Sequence, residues 1–316
     1  MESGNASLIT EFILLGFSVP PQMGIVLFVV FLVIYMVTFV ANGLIITVVQ
    51  VDARLNTPMY FFLCNLSFLD LFYSSTNVPA CLKGFLSKRD TITFAGCVAQ
   101  MYLGLTLGNT QGVLLAVMAW DRYVAICNPL NYQRIMSKAL CITLAAATWA
   151  SGLTLAMVEV SLTMTVPFCG HNKINHVVCE LVAVLRLACK DVSLIEYVII
   201  VVSVAVLVVP LSLIIITYHR IISTILRMAT ATSRHKAFST CGSHLTVVIL
   251  FYGTTIVMYM RPRSMISTEN EKIISVFYGL LTPALNPLIY TLRNKQVKGA
   301  VKKLLCREGA WQRTQG

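Results

Sequence analysis

Charge is what this chain has least of. Of its 316 residues only 12% are charged, about half the share of an ordinary globular domain, while 57% are hydrophobic. So small a polar supply cannot cover a water-facing surface, which excludes a soluble domain and an intrinsically disordered chain alike. Glycine is far too rare for a collagen-like fibre, and ten cysteines are too sparse for a small disulfide scaffold. Acidic residues are the scarcest charges, 13 against 24 Lys and Arg, leaving a formal net charge of +11. That excess suits nucleic acid or a membrane surface, and the position of the charges decides between them. There is no Walker loop, no nucleophile elbow, no metal motif of strong spacing and no internal repeat. Without a catalytic constellation, no enzyme is expected. The first ten residues hold no Lys or Arg and no apolar core, so a cleavable signal is not expected and the first helix serves for insertion.

What the chain has instead is long apolar runs: Met23–Val49, Met59–Leu82, Val98–Val117, Leu140–Val166, Tyr197–Tyr218, Leu245–Met260 and Ile273–Leu292. Each is near the ~20 helical residues that cross a hydrocarbon core, and none alternates like a barrel strand. Backbone groups in lipid must bond internally, so these predict seven helices. The sixth is the weakest by hydropathy, because Cys241, Gly242, Ser243 and His244 precede its apolar part. With the N-terminus outside, 15 of the 24 basic residues fall on the cytoplasmic side, which nets +12, while the outer side nets zero. The excess is therefore one-sided and fits anionic membrane lipid and an acidic cytoplasmic partner rather than nucleic acid. The fold expected is an all-α membrane protein, a seven-transmembrane-helix bundle with extracellular N-terminus and cytoplasmic C-terminus. Residues 1–22 form the outer segment, 23–292 the bundle and 293–316 a cytoplasmic tail. In the tail, Lys298, Lys302 and Lys303 lie on a short amphipathic eighth helix.

The outer side carries a glycosylation sequon, Asn5-Ala6-Ser7. Four cysteines, Cys97, Cys169, Cys179 and Cys189, also face it, and an oxidising compartment allows them three pairings. Cys306, beside Lys302 and Lys303, is a weak palmitoylation candidate.

Polar residues within the spans are functional suspects by default. Asn42, Asp70 and Asn286 fall at similar depths and form one expected network, with water or Na⁺ as possible members and simple helix adhesion as the plainer account. Asp121-Arg122 ends the third span, either as a local ion pair or as a latch whose Arg leaves for a partner protein. Pro287 and Pro210 each remove a backbone donor and weaken their helices locally.

Met118-Ala-Trp-Asp-Arg-Tyr-Val-Ala-Ile-Cys-Asn-Pro-Leu130 resembles the olfactory receptors' version of the rhodopsin-like third-helix motif. So do Thr57-Pro-Met-Tyr-Phe-Phe-Leu63, Lys236-Ala-Phe-Ser-Thr-Cys-Gly-Ser-His-Leu245 and Pro283-Ala-Leu-Asn-Pro-Leu-Ile-Tyr-Thr-Leu-Arg-Asn294, and Glu11-Phe-Ile-Leu-Leu-Gly-Phe-Ser18 is also typical. The departures are Trp120 for a usual Tyr, Asn131 for His, Thr217 for Ser, and Gln111 where many members carry a carboxylate, which weighs against Na⁺ near Asp70. The resemblance implies a receptor for small volatile odorants, in the plasma membrane of sensory cilia, that couples to a stimulatory heterotrimeric G protein and raises cAMP. It implies the bridges Cys97–Cys179 and Cys169–Cys189. Asp121, Arg122, Tyr123, Tyr218, Asn286, Pro287 and Tyr290 are the residues it assigns to activation and coupling. His176-Val-Val-Cys-Glu180 resembles a metal-binding element of the family, but a disulfide-bonded Cys179 has no thiolate to offer.

The ligand site is expected between the outer halves of the third, fifth, sixth and seventh spans. Its candidate lining is Gly104, Leu105, Gly108, Asn109, Gly112, Val202, Ser203, Val206, Tyr252, Thr255, Ile256, Tyr259, Val276 and Gly279. Gly104, Gly108 and Gly112 share one helix face, which signals either close helix packing or pocket volume. The outer half of the third span has no carboxylate, so a cationic amine lacks a counter-ion there, and the seventh span has no mid-helix Lys for a retinal Schiff base. The ligand predicted is small, mostly neutral and apolar, its one oxygen anchored by Asn109, Ser203, Thr255 or Tyr259. The rivals are a non-olfactory rhodopsin-like receptor and, more distantly, a seven-helix transporter or channel, which would want more ionisable groups in the membrane.

Overall fold

The computed structural model describes residues 10–17, 19–87, 89–168, 172–189, 193–259, 268–293 and 296–304. Seven long helices dominate it: α1 (Pro21–Val51), α2 (Pro58–Leu86), α3 (Phe94–Cys127), α5 (Lys138–Met164), α7 (Ser193–Leu226), α8 (Ala231–Tyr259) and α9 (Thr268–Arg293). They are the first to seventh spans. Short helices α4 (Tyr132–Ile135) and α6 (Leu181–Leu185) lie in the connections, and α10 covers 296–304. The spans hold 26 to 34 residues, about 40–50 Å at 1.5 Å per residue, so their ends project beyond a ~30 Å hydrocarbon core.

The helices start where the sequence supplies an N-terminal signal. Pro21 and Pro58 occupy first-turn positions, where a missing N–H removes nothing. Thr93 Oγ1 accepts from Gly96 N at 3.1 Å to cap α3, and Ser137 Oγ accepts from Leu140 N at 3.3 Å to cap α5. Between α1 and α2, Asp52 Oδ2 accepts from Arg54 Nη2 at 2.6 Å, and the guanidinium holds the Asp52 carboxyl down at about 2.

The span weakest in apolarity is the second, not the sixth. Among the described residues six helices are long and apolar enough to cross a membrane, α8 and α9 included; α2 has the length but not the composition. Its polar residues point at neighbours instead of lipid, with Ser67, Asp70 and Ser74 buried where α2 packs on α1, α3 and α9. The polar lead-in to the sixth span is itself helical. Cys241, Ser243 and His244 are buried in the bundle, so α8 begins well before the predicted Leu245. The first span lies at the periphery and exposes Val26, Val29, Val33, Val37 and Val40 in the pattern of a lipid-facing face.

α3 is the central strut, packed against α2, α5, α7 and α8. Its closest approach is to α5 at Gly152. A Cβ there would collide with Thr110 Oγ1 and lie 2.8 Å from the Thr106 carbonyl oxygen, so only glycine allows this contact. Close helix packing was one of the two readings of the Gly104, Gly108 and Gly112 face, but a Cβ at Gly104 or Gly108 meets nothing within 4 Å. Only Gly112 of that trio packs, against Phe251 and Tyr252. The helices run unbroken past Pro210, Pro283 and Pro287.

One end of the bundle carries a feature that an all-α reading omits. Strands β1 (Glu11–Leu15), β2 (Arg89–Thr93) and β3 (Lys173–Ile174) form a sheet in the order β2-β1-β3. β1 runs antiparallel to β2, with Glu11 opposite Thr93 and Leu15 opposite Arg89, and parallel to β3, with Ile13 opposite Lys173. Alternate β1 residues Phe12 and Leu14 are buried, and Phe12 packs on Phe94 and Phe168. Part of the expected outer segment, Glu11–Leu15, thus belongs to a structural cap. Lys272, almost fully buried at the start of α9, donates from Nζ to the Gly16 carbonyl at 3.1 Å and clamps the chain that follows β1. Asn5, Cys169 and Cys306 lie outside the described residues.

At the opposite end, α10 buries Val297 and Ala300 against the bundle and exposes Lys298, Lys302 and Lys303, as its amphipathic pattern predicts. Tyr60 Oη donates to Gln296 Oε1 at 2.7 Å and fixes its start.

Candidate functional site

Below the strand cap the helices diverge around a cavity of about 140 Å³. Its roof is the segment 178–181, held down twice: Cys179 is bridged to Cys97 at the start of α3, and its backbone N donates to Gln100 Oε1 at 2.9 Å. Gln100 in turn donates to the Thr76 carbonyl of α2 at 3.2 Å. Cys189 is also disulfide-bonded, whereas Cys64, Cys81, Cys127, Cys141 and Cys241 are free. The floor is Gly112 with Phe251 and Tyr252, and Tyr252 Oη donates to the Gly112 carbonyl at 3.0 Å.

Of the predicted lining, Gly104, Leu105, Gly108, Asn109, Gly112, Ser203, Val206, Tyr252, Thr255, Val276 and Gly279 bound this cavity. Val202 and Ile256 do not, because each sits one helical step off the inward face of its span. The side chain of Tyr259 lies outside the described residues. The second and fourth spans, absent from the prediction, contribute Tyr73, Asn77, Val78, Cys81 and Glu159. With Gly104 and Gly108 facing open space, the glycine stripe supplies cavity volume over most of its length.

Glu159 changes the chemistry of the site. It is 3% exposed, and its carboxylate accepts from Asn109 Nδ2 at 3.2 Å and from the Ser203 hydroxyl. Two of the predicted ligand anchors are therefore already engaged by a carboxylate. The expectation that an amine would find no counter-ion looked only at the third span; the fourth supplies one. The signal was present, since a lone carboxylate inside a 27-residue apolar helix is as conspicuous as Asp70.

Deeper in the bundle, Asn286 Nδ2 donates to both Asp70 oxygens at 3.1 and 3.0 Å. Asn42 Nδ2 bonds the Thr38 and Pro283 carbonyls at 3.0 and 3.1 Å, joining the first span to the seventh, and among the described residues it makes no hydrogen bond to the Asp70–Asn286 pair. Hard cations want several oxygen ligands. Here Asp70 is the one carboxylate and Gln111 adds no charge, yet Asn42 Oδ1 and Asn286 Oδ1 are buried with no hydrogen-bond partner among the described residues, so oxygen ligands for the Na⁺ considered from sequence are on hand while the charge is a single one.

At the end opposite the cap, Asp121 and Arg122 do not form an ion pair among the described residues, which removes the plainer of the two sequence readings of this pair. Asp121 Oδ1 instead accepts from Tyr132 Oη of α4 at 2.8 Å, and burial with that carboxylate pushes the Tyr132 phenol up. Nearby, His244 bridges three spans. Its Nε2 lies 3.1 Å from the Leu115 carbonyl, which can only accept, so Nε2 carries the proton and Nδ1 accepts from Tyr218 Oη at 2.8 Å. Tyr123 packs against Trp120, and the buried Tyr290 hydroxyl has no hydrogen-bond partner among the described residues. His244 stood within a quoted motif, but nothing in the sequence says that it meets Tyr218, 26 residues away.

The family profile described as olfactory receptor matches residues 31–308. Olfactory receptor 2K2 of Homo sapiens is 50% identical over 305 residues, covering 96% of each chain. Olfactory receptor 13C9 of Homo sapiens is 49% identical over 310 residues, 96% of this chain and 98% of that one. The olfactory receptor-like protein OLF3 of Canis lupus familiaris is 48% identical over 305 residues, 96% of each. With a bundle of seven helices, a bridge from the third span to the roof of a cavity, and likeness over nearly its whole length to such proteins, the chain belongs to the olfactory receptor family of multi-pass, G-protein-coupled membrane receptors.

Proposed function

We propose that this receptor takes a small, largely apolar odorant into the cavity under the strand cap and passes the event to a stimulatory heterotrimeric G protein, raising cAMP. In this reading the cap faces outward at the plasma membrane, which puts the Asn5 sequon on the glycosylating side, and the basic end of the bundle faces the cytoplasm. The observation that carries the reading is the cavity itself. At about 140 Å³ it matches the size of apolar protein cavities that accept a benzene-sized guest.

The sixth span supplies the coupling. Phe251, Tyr252 and Thr255 of α8 bound the cavity, and His244 of the same helix ties it to Leu115 and Tyr218. Eight residues separate Tyr252 from His244, about 12 Å along a helix. A ligand that pushes on the floor and is bound more tightly by the shifted helix favours the arrangement in which the His244 bridge opens. The cytoplasmic end of α8 then swings outward and uncovers Arg122. Arg220, Arg227, Arg234 and Lys236 flank that opening, where acidic partner surface or lipid phosphate would meet them. Asn286, Pro287 and Tyr290 of the seventh span adjust beside it. The test is an odorant panel on cells carrying a cAMP reporter, with surface delivery verified. Responses that vanish in Arg122→Ala at equal surface level are expected; a panel-wide silence of the delivered receptor, or responses that survive this substitution, refute the coupling.

A further inference from the structure

The polar wall of the cavity has one sign of charge. Glu159 and Glu180 bound it, and among the described lining residues there is no Lys, Arg or His. Glu180 has a partner in His176, whose Nε2 lies 3.6 Å from Oε2. Among the described residues the partners of Glu159 are neutral, the Asn109 amide and the Ser203 hydroxyl. A carboxylate offers about four acceptor positions, so these two donors leave roughly half of its capacity for a third group. Asn109 comes from the third span and Ser203 from the fifth, and between them they hold the carboxyl of the fourth span at the cavity wall. A buried carboxylate with no cation is strongly disfavoured in a low-dielectric interior, and a cation brought by the ligand removes that penalty. A carboxylic acid would add a like charge, and an alcohol or ester would leave the carboxylate without a counter-charge.

We propose that the ligand of this receptor is a small primary amine whose ammonium pairs with Glu159, its hydrocarbon part lying in the open space beside Gly104 and Gly108. The inference rests on the cavity being the odorant site and specifies the polar group that the odorant carries. Glu159 is then the specificity-determining residue, and Asn109 and Ser203 position it. The head group expected from sequence, neutral and anchored by Asn109, Ser203, Thr255 or Tyr259, gives way to a cationic one bonded to the carboxylate that Asn109 and Ser203 hold.

The experiment compares an alkylamine, the alcohol and the carboxylic acid of the same chain, with about six carbons to suit the cavity. Two readouts run on the full-length receptor: cAMP in cells at matched surface level, and ligand-induced thermal stabilisation of receptor purified into nanodiscs. The amine is expected to be the most potent by about tenfold or more, and the acid inactive. Glu159→Gln keeps the shape and should lower amine potency about tenfold or more while leaving the alcohol unchanged. An alcohol or acid that equals the amine on the wild type, or an amine potency untouched in Glu159→Gln, overturns the proposal. If Glu159→Gln does not reach the surface, the wild-type rank order still decides. Thermal stabilisation by the amine without a cAMP response leaves this inference standing and overturns the coupling; no stabilisation by the amine overturns this inference whatever the cAMP result.

Discussion

Two glycine-to-alanine substitutions, one carbon each, separate the cavity from the scaffold. At Gly108 the new methyl meets nothing within 4 Å. Folding should be unharmed, and alanine even favours the helix by about 1 kcal/mol. A ligand that uses this space loses the equivalent of one methylene of pocket, about 1–3 kcal/mol, or roughly 10–200-fold in potency. At Gly152 the same methyl collides with Thr110 Oγ1 and the Thr106 carbonyl, atoms fixed by their own 2.7 Å hydrogen bond within α3. Overpacking there costs about 1–3 kcal/mol or more, and α3 and α5 must separate to relieve it. The assay pairs surface delivery and thermal midpoint with a full dose–response curve. Gly108→Ala should keep delivery and midpoint while its EC50 rises for the larger odorants; Gly152→Ala should lose delivery and midpoint before any question of potency arises. If both variants lose delivery equally, or if Gly108→Ala leaves every EC50 unchanged, the assignment of the glycine stripe to cavity volume is wrong.

Three further outcomes are expected. Cys179→Ser opens a loop spanning 82 residues, whose chain-entropy contribution is about 4–5 kcal/mol, and should sharply reduce the thermal midpoint and the surface level. Lys272→Met leaves the Gly16 carbonyl without its ammonium donor, a loss of about 1–3 kcal/mol, and limited proteolysis should then cut the chain around β1 faster while the helices stay protected. Tyr132→Phe releases Asp121, which is then free to pair with Arg122 and hold it; maximal cAMP should fall with EC50 little changed, and an unchanged maximum would show that the Tyr132 bond does not bear on coupling.

The bundle was legible because lipid imposes it residue by residue. Apolar runs such as Tyr197–Tyr218 need only be counted, and most of their helices exceed the predicted bounds because polar ends continue past the hydrocarbon, although the fourth stops at Met164, short of the predicted Val166. The second span shows the limit of counting. Asp70, Ser67 and Ser74 lower its hydropathy because they face helices, and hydropathy cannot see which way a residue points. Most of the cavity lining followed from helical periodicity on spans already known to converge, while Val202 and Ile256 sit one helical step off the inward face, a rotation that periodicity does not fix. Glu159 escaped because the search for a counter-ion was confined to one helix. The strand cap escaped for a different reason: β1, β2 and β3 are five residues or fewer, and only their pairing across long stretches of chain makes them a sheet.

That pairing has a consequence for how the molecule is made. β1 is synthesised well before β3: Ile13 pairs with Lys173, about 160 residues later in the chain. At ribosomal rates of about 5–20 residues per second, Phe12 and Leu14 wait roughly 10–30 s before their parallel neighbour exists. Throughout that interval a nascent chain with every earlier helix already inserted still displays a greasy, unpaired strand edge outside the bilayer. The cap therefore marks a midpoint of synthesis: it can close only after the fourth of the seven long helices has been made, and can do so before the last three exist.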